Sequence, residues 1–195
     1  MFMEKDKTTQ LLELRSSVIK DTYDKQWKEV WFFPMFKEVP EVNGYLGTKS
    51  IMFVAFNPSF GKYPEKKIIF YYQNLKDVGF FNAHLTDCFK IKKVGNTTNK
   101  SFDVEETYNA IEILKKEISI ISPKMIVCVG RDAETFFKKN FSSVGPEYLP
   151  HYSQRIPGKR YKSRDQFVKE FTEEMQKIRN KYDKILQSKT NQKSL

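Results

Sequence analysis

Asn57 and Asp87 stand where strand-like runs of the chain end, and His151 follows a short stretch at 147–150. The first run, Ile51-Met52-Phe53-Val54-Ala55-Phe56, goes straight into Asn57-Pro58-Ser59. A continuous apolar run closed by turn-forming residues reads as a strand buried on both faces. The carboxyl ends of such strands are where open α/β sheets bind ligands, so Asn57 is expected at the mouth of a pocket. Its amide offers a donor and an acceptor but cannot act as a base, whereas an ionised Asp87 only accepts. Each residue also has a plainer reading. Asn, Pro and Ser form strand-ending turns anyway, Asp is a good cap after a strand, and a loop His can simply be bonded to water.

The elements that must position these side chains follow from periodicity. Leu11, Leu12, Leu14, Val18 and Ile19 predict a first helix over 8–26. The aromatic-rich connection 27–40 carries Trp27, Trp31, Phe32, Phe33 and Phe36 and reads as core packing, with a pocket wall as the alternative. Strands are expected at 50–56, 80–86 and 125–129, with a short stretch at 147–150. Helices are expected within 65–78, over 104–120 with Ile111, Leu114 and Ile118 on one face, and over 133–139. A last helix is expected over 163–187, with a stripe of Phe167, Phe171, Met175, Ile178, Tyr182 and Ile185. Residues 93–103 read as a loop. Strands alternating with helices predict a parallel sheet covered on both sides. The expectation is one domain over 1–187, three-layer α/β/α, with a central, mostly parallel four-stranded sheet. The polar stretch 188–195 reads as a disordered tail.

Composition narrows the partners. A formal net charge of +10 on 195 residues favours polyanions, most often nucleic acid. The plainer alternative is a Lys-rich solubilising surface. The two cysteines, Cys88 and Cys128, lie in apolar runs and read as buried reduced thiols. With two histidines, His84 and His151, they cannot supply a cysteine cluster or a usual zinc set. No metal and no cofactor is expected. The charged first residues do not read as a signal peptide, and no apolar run approaches spanning length. An intracellular protein off the membrane is expected, and the lack of a conspicuous heptad or large apolar face argues for a monomer.

Four pieces occur in a fixed order: a strand then Asn57-Pro58-Ser59, a strand then Thr86-Asp87, a strand then Gly130, and a late His151-Tyr152-Ser153. The set resembles the uracil-DNA glycosylase superfamily. Ala55-Phe56-Asn57-Pro58-Ser59 is similar to its Gly-x-Asn-Pro first motif. Leu85-Thr86-Asp87-Cys88-Phe89-Lys90 is similar to a Thr-Asn-x-x-Lys strand end. Ser122 to Gly130 resembles its Lys-Pro strand ending in Gly, and Pro150-His151-Tyr152-Ser153 resembles its His-Pro-Ser motif. The matches span about residues 50–155. Ala55 replaces the usual Gly, Asp87 the usual base-reading Asn, and Tyr152 the usual Pro. In an alternative register, Asn82 takes the base-reading place.

The resemblance implies a cofactor-independent hydrolase that flips a base out of DNA, single- or double-stranded, and cuts its N-glycosidic bond. Asn57 would hold the attacking water, with Phe56 beside it in the base pocket. His151 would donate to a carbonyl oxygen of the departing base, an effect of roughly 3–4 kcal/mol for a well-placed donor. Asp87 or Asn82 would read the base edge. Phe70, with Tyr71 close behind, would stack on the base, at about 1–3 kcal/mol; core packing is the alternative. Ser59 and Ser153 would meet phosphates. The basic loop after the His motif, with Arg155, Lys159 and Arg160, would grip phosphates, and Ile156 or Arg155 would wedge the duplex. A solvated basic loop is the alternative.

Two rival readings remain on the sequence. One is a non-catalytic nucleic-acid-binding module on the same fold, which the departures at Ala55, Asp87 and Tyr152 favour. The other is a nucleotide-binding doubly wound protein, which lacks support because Gly130-Arg131-Asp132 is too poor in glycine for a phosphate loop.

Overall fold

The first apolar run forms strand β1 (Lys49–Ala55), whose last five residues are all buried. It is flanked by β2 (Ala83–Asp87) and β3 (Met125–Val129), both buried throughout, and the short β4 (Glu147–Leu149) completes the sheet. In this computed structural model the described residues are 6–24, 30–58, 66–91, 102–141, 145–153 and 162–191, with side chains left aside at 22–24 and 189–191. The strands run in the order β2-β1-β3-β4, and all pairings are parallel. Register brings their carboxyl ends level: Ala55 pairs with Asp87, Val54 with Cys128 and Val129 with Leu149.

Alternation along the strands splits the core in two. Ile51, Phe53, Ala55, Leu85 and Val127 face one layer, and Met52, Val54, Ile126 and Cys128 face the other. The first layer is covered by α2 (Lys66–Asp77) and α5 (Arg164–Asn191), through Ile68, Tyr71, Tyr72, Leu75, Phe167, Phe171 and Met175. The second is covered by α1 (Lys7–Asp24), α3 (Val104–Ile121) and α4 (Arg131–Asn140), through Leu11, Leu114, Ile121 and Phe137. This is the three-layer arrangement expected from the sequence.

Local signals set the helix ends. Asp103 caps α3: its side chain accepts from the Glu106 amide at 2.7 Å while the Glu106 side chain accepts from the Asp103 amide at 2.9 Å, a reciprocal capping box. The helix stops at Ser122, held at φ 49, just before Pro123. The stripe predicted on the last helix is real, with Phe167, Phe171, Met175, Ile178 and Tyr182 buried. The helix itself is longer than expected. It continues to Asn191, into the stretch read as a tail, because neither Pro nor Gly stands in 188–191 to break the backbone ladder. Residues 192–195 lie outside the described residues. Phe33 and Phe36 of the aromatic-rich connection are core residues, with Trp31 packed against the same core, while Trp27 lies outside the described residues.

Topology decides where a site belongs. After β1 the chain crosses over the first face through α2 to β2. It then returns across β1, over the opposite face through α3, to β3. The direction of winding therefore reverses between β1 and β3. In open α/β sheets, the crevice outside the strands' carboxyl ends at such a reversal is where ligands bind.

Candidate active site

The switch point lies between the residues that follow β1 and β3, Phe56-Asn57 and Gly130 respectively. β4 adds His151 on the far side of Gly130, and β2 adds Asp87 on the far side of Asn57. The order across the sheet edge is thus Asp87, Asn57, Gly130, His151. Neighbouring strands are about 4.8 Å apart, so two strand spacings, about 10 Å, separate the backbones carrying Asn57 and His151. Between them stands a residue with no side chain.

Gly130 is required there for two reasons. Its φ is +95, a conformation L side chains avoid. A Cβ on it would also lie 3.2 Å from His151 Cβ and 3.4 Å from Cδ2. Its amide donates to the Leu149 carbonyl at 2.8 Å, and its own carbonyl starts α4 by accepting from the Glu134 amide. The ladder between β1 and β2 also runs past the strand ends, with the Cys88 amide on Ala55 O at 2.8 Å and the Phe89 amide on Phe56 O at 3.0 Å. Asn57 is half-buried, and its amide nitrogen donates to Pro58 O at 3.3 Å.

His151 is oriented by its own turn. Nδ1 accepts from the Ser153 backbone amide at 3.2 Å, and the Ser153 hydroxyl lies 2.8 Å from the same nitrogen. An atom that accepts from an amide carries no proton, so the ring is assigned as the neutral tautomer with its proton on Nε2. The ring stacks on Tyr152 at 4.4 Å, and Tyr152 stacks on Tyr71 of α2 at 4.8 Å and 9°. Tyr152 thus fills the layer between His151 and α2.

Asp87 is 3 % exposed, and its carboxyl makes no hydrogen bond among the described residues. Burial pushes it up to about 7, Lys90 pulling it back down and Glu117 pushing it further up. The Tyr71 hydroxyl is raised well above its ordinary range, by burial first and the charge of Asp87 second. A carboxyl near neutrality at pH 7 has two forms: neutral, with one donor and one acceptor, or ionised, with acceptors alone.

The remaining candidates separate. Asn82 precedes β2 and so lies at the amino end of the sheet, away from Asn57 and His151. There its side chain accepts from Asn43 at 2.8 Å and from the Thr48 amide at 3.0 Å, a structural role in joining the entries of β1 and β2. Phe70 turns toward α5, packing on Phe171 at 5.2 Å and Phe167 at 6.2 Å, with the Arg164 guanidinium 5.2 Å above its ring. Phe56 points to the second core layer, into a cluster with Phe89, Phe102 and Phe136. Ser59, Arg155, Ile156, Lys159 and Arg160 lie outside the described residues.

One preference drawn from the sequence is reversed, and one feature was missed. Tyr71, rather than Phe70, faces the site layer. The signal was present: Ile68, Tyr71, Tyr72 and Leu75 fall at i, i+3, i+4 and i+7, the buried stripe of α2, which leaves Phe70 off it. The second is a buried ionic cluster behind β2, in which Lys90 Nζ reaches Thr86 Oγ1 at 2.6 Å, Asp87 O at 2.5 Å and Glu117 at 3.1 and 3.2 Å. Its signal was Glu117, a carboxylate on the Ala110, Leu114, Ile121 stripe of α3.

Both cysteines are free and buried. No metal-binding group occurs among the described residues, and no described helix is long and apolar enough to cross a membrane. No protein-family model and no curated protein matches the chain.

Proposed function

We propose that the protein is a DNA glycosylase-like hydrolase that takes uracil or a related damaged base into the crevice between Asn57 and His151. The observation that carries this reading is the arrangement of Asn57, side-chain-free Gly130 and His151 along one sheet edge at the topological switch point. Asn57 holds a water against the sugar. The water oxygen bonds to C1′ as the C1′–N bond breaks, and its proton passes to solvent. The base leaves with the bonding electrons, and Nε2–H of His151 donates to the carbonyl oxygen on which the negative charge gathers. Asn57 carries no charge to steady the cationic sugar, so bases that leave easily are favoured. Neutral Asp87 offers a donor and an acceptor, the complement of a uracil edge. Ionised Asp87 fits an edge of two donors.

A second reading is favoured by the carboxyl at position 87 itself: a base-binding or DNA-binding module on the same architecture that does not cut. Incubation with end-labelled oligonucleotides separates the two. The panel carries uracil in single strands and opposite guanine or adenine, hypoxanthine, and thymine opposite guanine, with alkali to reveal abasic sites. Alkali-dependent breaks at one of these bases support the hydrolase. Salt-sensitive binding with no breaks on any of them supports the module.

A further inference from the structure

A charged cluster lies buried behind β2, on the sheet face opposite the Asp87 side chain. Thr86 and His84 belong to the second layer by strand alternation, and Asp87 to the first, where it sits near Tyr71. Lys90 is 3 % exposed, and Glu117, His84 and Thr86 are 1 % or less. Taking two charges out of water is expensive, and well-packed apolar residues of similar volume are often as stable or more so. Stability alone therefore gives no reason for a Lys–Glu pair here.

The contacts of Lys90 give one. Its ammonium binds the Thr86 hydroxyl and the Asp87 carbonyl, and so grips the last peptide of β2 from behind. Glu117, from α3, holds the ammonium with both oxygens and accepts from the Thr86 hydroxyl at 3.0 Å. His84 fixes the other flank, with Nδ1 2.7 Å from Tyr45 O and Nε2 3.9 Å from Glu117. We propose that Lys90 and Glu117 are positioning residues: from the far side of β2 they hold Asp87 at the mouth of the site and govern its charge.

Among the described residues, the titratable groups bearing on the Asp87 carboxyl are Tyr71 from α2, Cys88 and Lys90 from its own segment and Glu117 from α3, with His84 of β2 acting through Glu117. Burial raises Glu117, but Lys90 and His84 outweigh it and hold this carboxyl below its ordinary range, so it is an anion at neutral pH. The two charges of the clamp therefore pull Asp87 in opposite directions. Removing the cation must raise its titration point. Removing the anion takes a like charge away from Asp87 while Lys90 stays, and must lower it.

This inference rests on Asp87 belonging to the proposed site, but its test uses DNA-free protein and is decided apart from whether any base is cut. Carbon-13 carboxyl resonances of aspartate-labelled full-length protein are followed against pH, with the Asp87 signal assigned by its loss in Asp87→Asn. Lys90→Met is expected to move the midpoint up and Glu117→Gln to move it down, each by about one pH unit or more, the scale of a neighbouring charge. Lys90→Arg, which keeps the charge, is expected to stay near the parent. If Lys90→Met does not fold because it strands Glu117, Glu117→Gln still gives the decisive sign. An Asp87 midpoint unmoved by Glu117→Gln, or raised by it, overturns the proposal and leaves the cluster a packing feature of α3.

Discussion

Ser153 donates its backbone amide to Nδ1 of His151 at 3.2 Å and sets its hydroxyl 2.8 Å from the same atom. Two residues of one turn thus select the tautomer that carries its proton on Nε2. Because the amide bond does not depend on the Ser153 side chain, Ser153→Ala is expected to keep this tautomer. Nitrogen-15 shifts of the His151 ring should show a bare Nδ1 and a protonated Nε2 in both proteins. A protonated Nδ1 in the parent would contradict the assignment.

Gly130→Ala should damage both fold and site. The substitution places a side chain at φ +95 and brings its Cβ to 3.2 Å from His151. Backbone strain of this kind costs about 1–3 kcal/mol, and the contact adds to it. Urea unfolding should show a loss of that order, and the His151 ring signals should shift with it. An alanine variant as stable as the parent, with His151 unmoved, would mean that the close approach of Gly130 to His151 is absent.

The buried carboxyls make stability depend on pH with opposite signs. Asp87 is raised in the folded state from its ordinary 3.8 to about 7, so the native state binds the extra proton between those values. Its contribution is greatest below the unfolded value and is lost as pH rises through the folded one. Glu117 is lowered from its ordinary 4.5, so its contribution is present above that value and is lost as pH falls below it. Asp87→Asn, which cannot ionise, should therefore gain stability relative to the parent between pH 5 and pH 8, by a few kcal/mol at most. Urea unfolding at the two pH values checks this. The same stability difference at both would contradict the raised Asp87.

Binding to DNA should fall steeply with salt. With Lys+Arg 34 against Asp+Glu 24, neutralised phosphates release counter-ions, and the logarithm of the binding constant drops by about 0.9 per phosphate contact for each log unit of salt on a duplex. Fluorescence anisotropy with a labelled duplex over a salt series gives the slope. A flat response would remove the basic surface as a DNA-binding feature.

The fold was largely legible in the sequence because its two central strands, β1 and β3, carry continuous apolar runs and α5 carries a clean stripe from Phe167 to Tyr182. Asn57 was legible too, since a turn residue after a fully buried strand has to emerge at the sheet edge. Side-chain direction was harder to read. Phe70 and Tyr71 are adjacent and both aromatic, and only the helical stripe through Ile68 and Leu75 tells which faces the sheet. The choice between Asn82 and Asp87 depended on where β2 begins, and strand boundaries depend on partners: the Lys49 amide bonds Asn82 O, while Ala55 pairs with Asp87. The Lys90–Glu117 pair joins residues 27 positions apart; the buried stripe of α3 marks Glu117 but does not tell which cation meets it.

The central claim is that Asn57 and His151 work on one base across Gly130. It is tested most directly by excision from the uracil and hypoxanthine oligonucleotides by the parent, Asn57→Ala and His151→Ala, with DNA affinity measured alongside. The account predicts alkali-dependent breaks by the parent that fall by about 100-fold or more in His151→Ala, the scale of a lost oxyanion donor. It predicts a comparable fall in Asn57→Ala, with affinity for undamaged DNA unchanged in both. Excision that survives both substitutions, or a parent that binds DNA and cuts none of these bases, would contradict it.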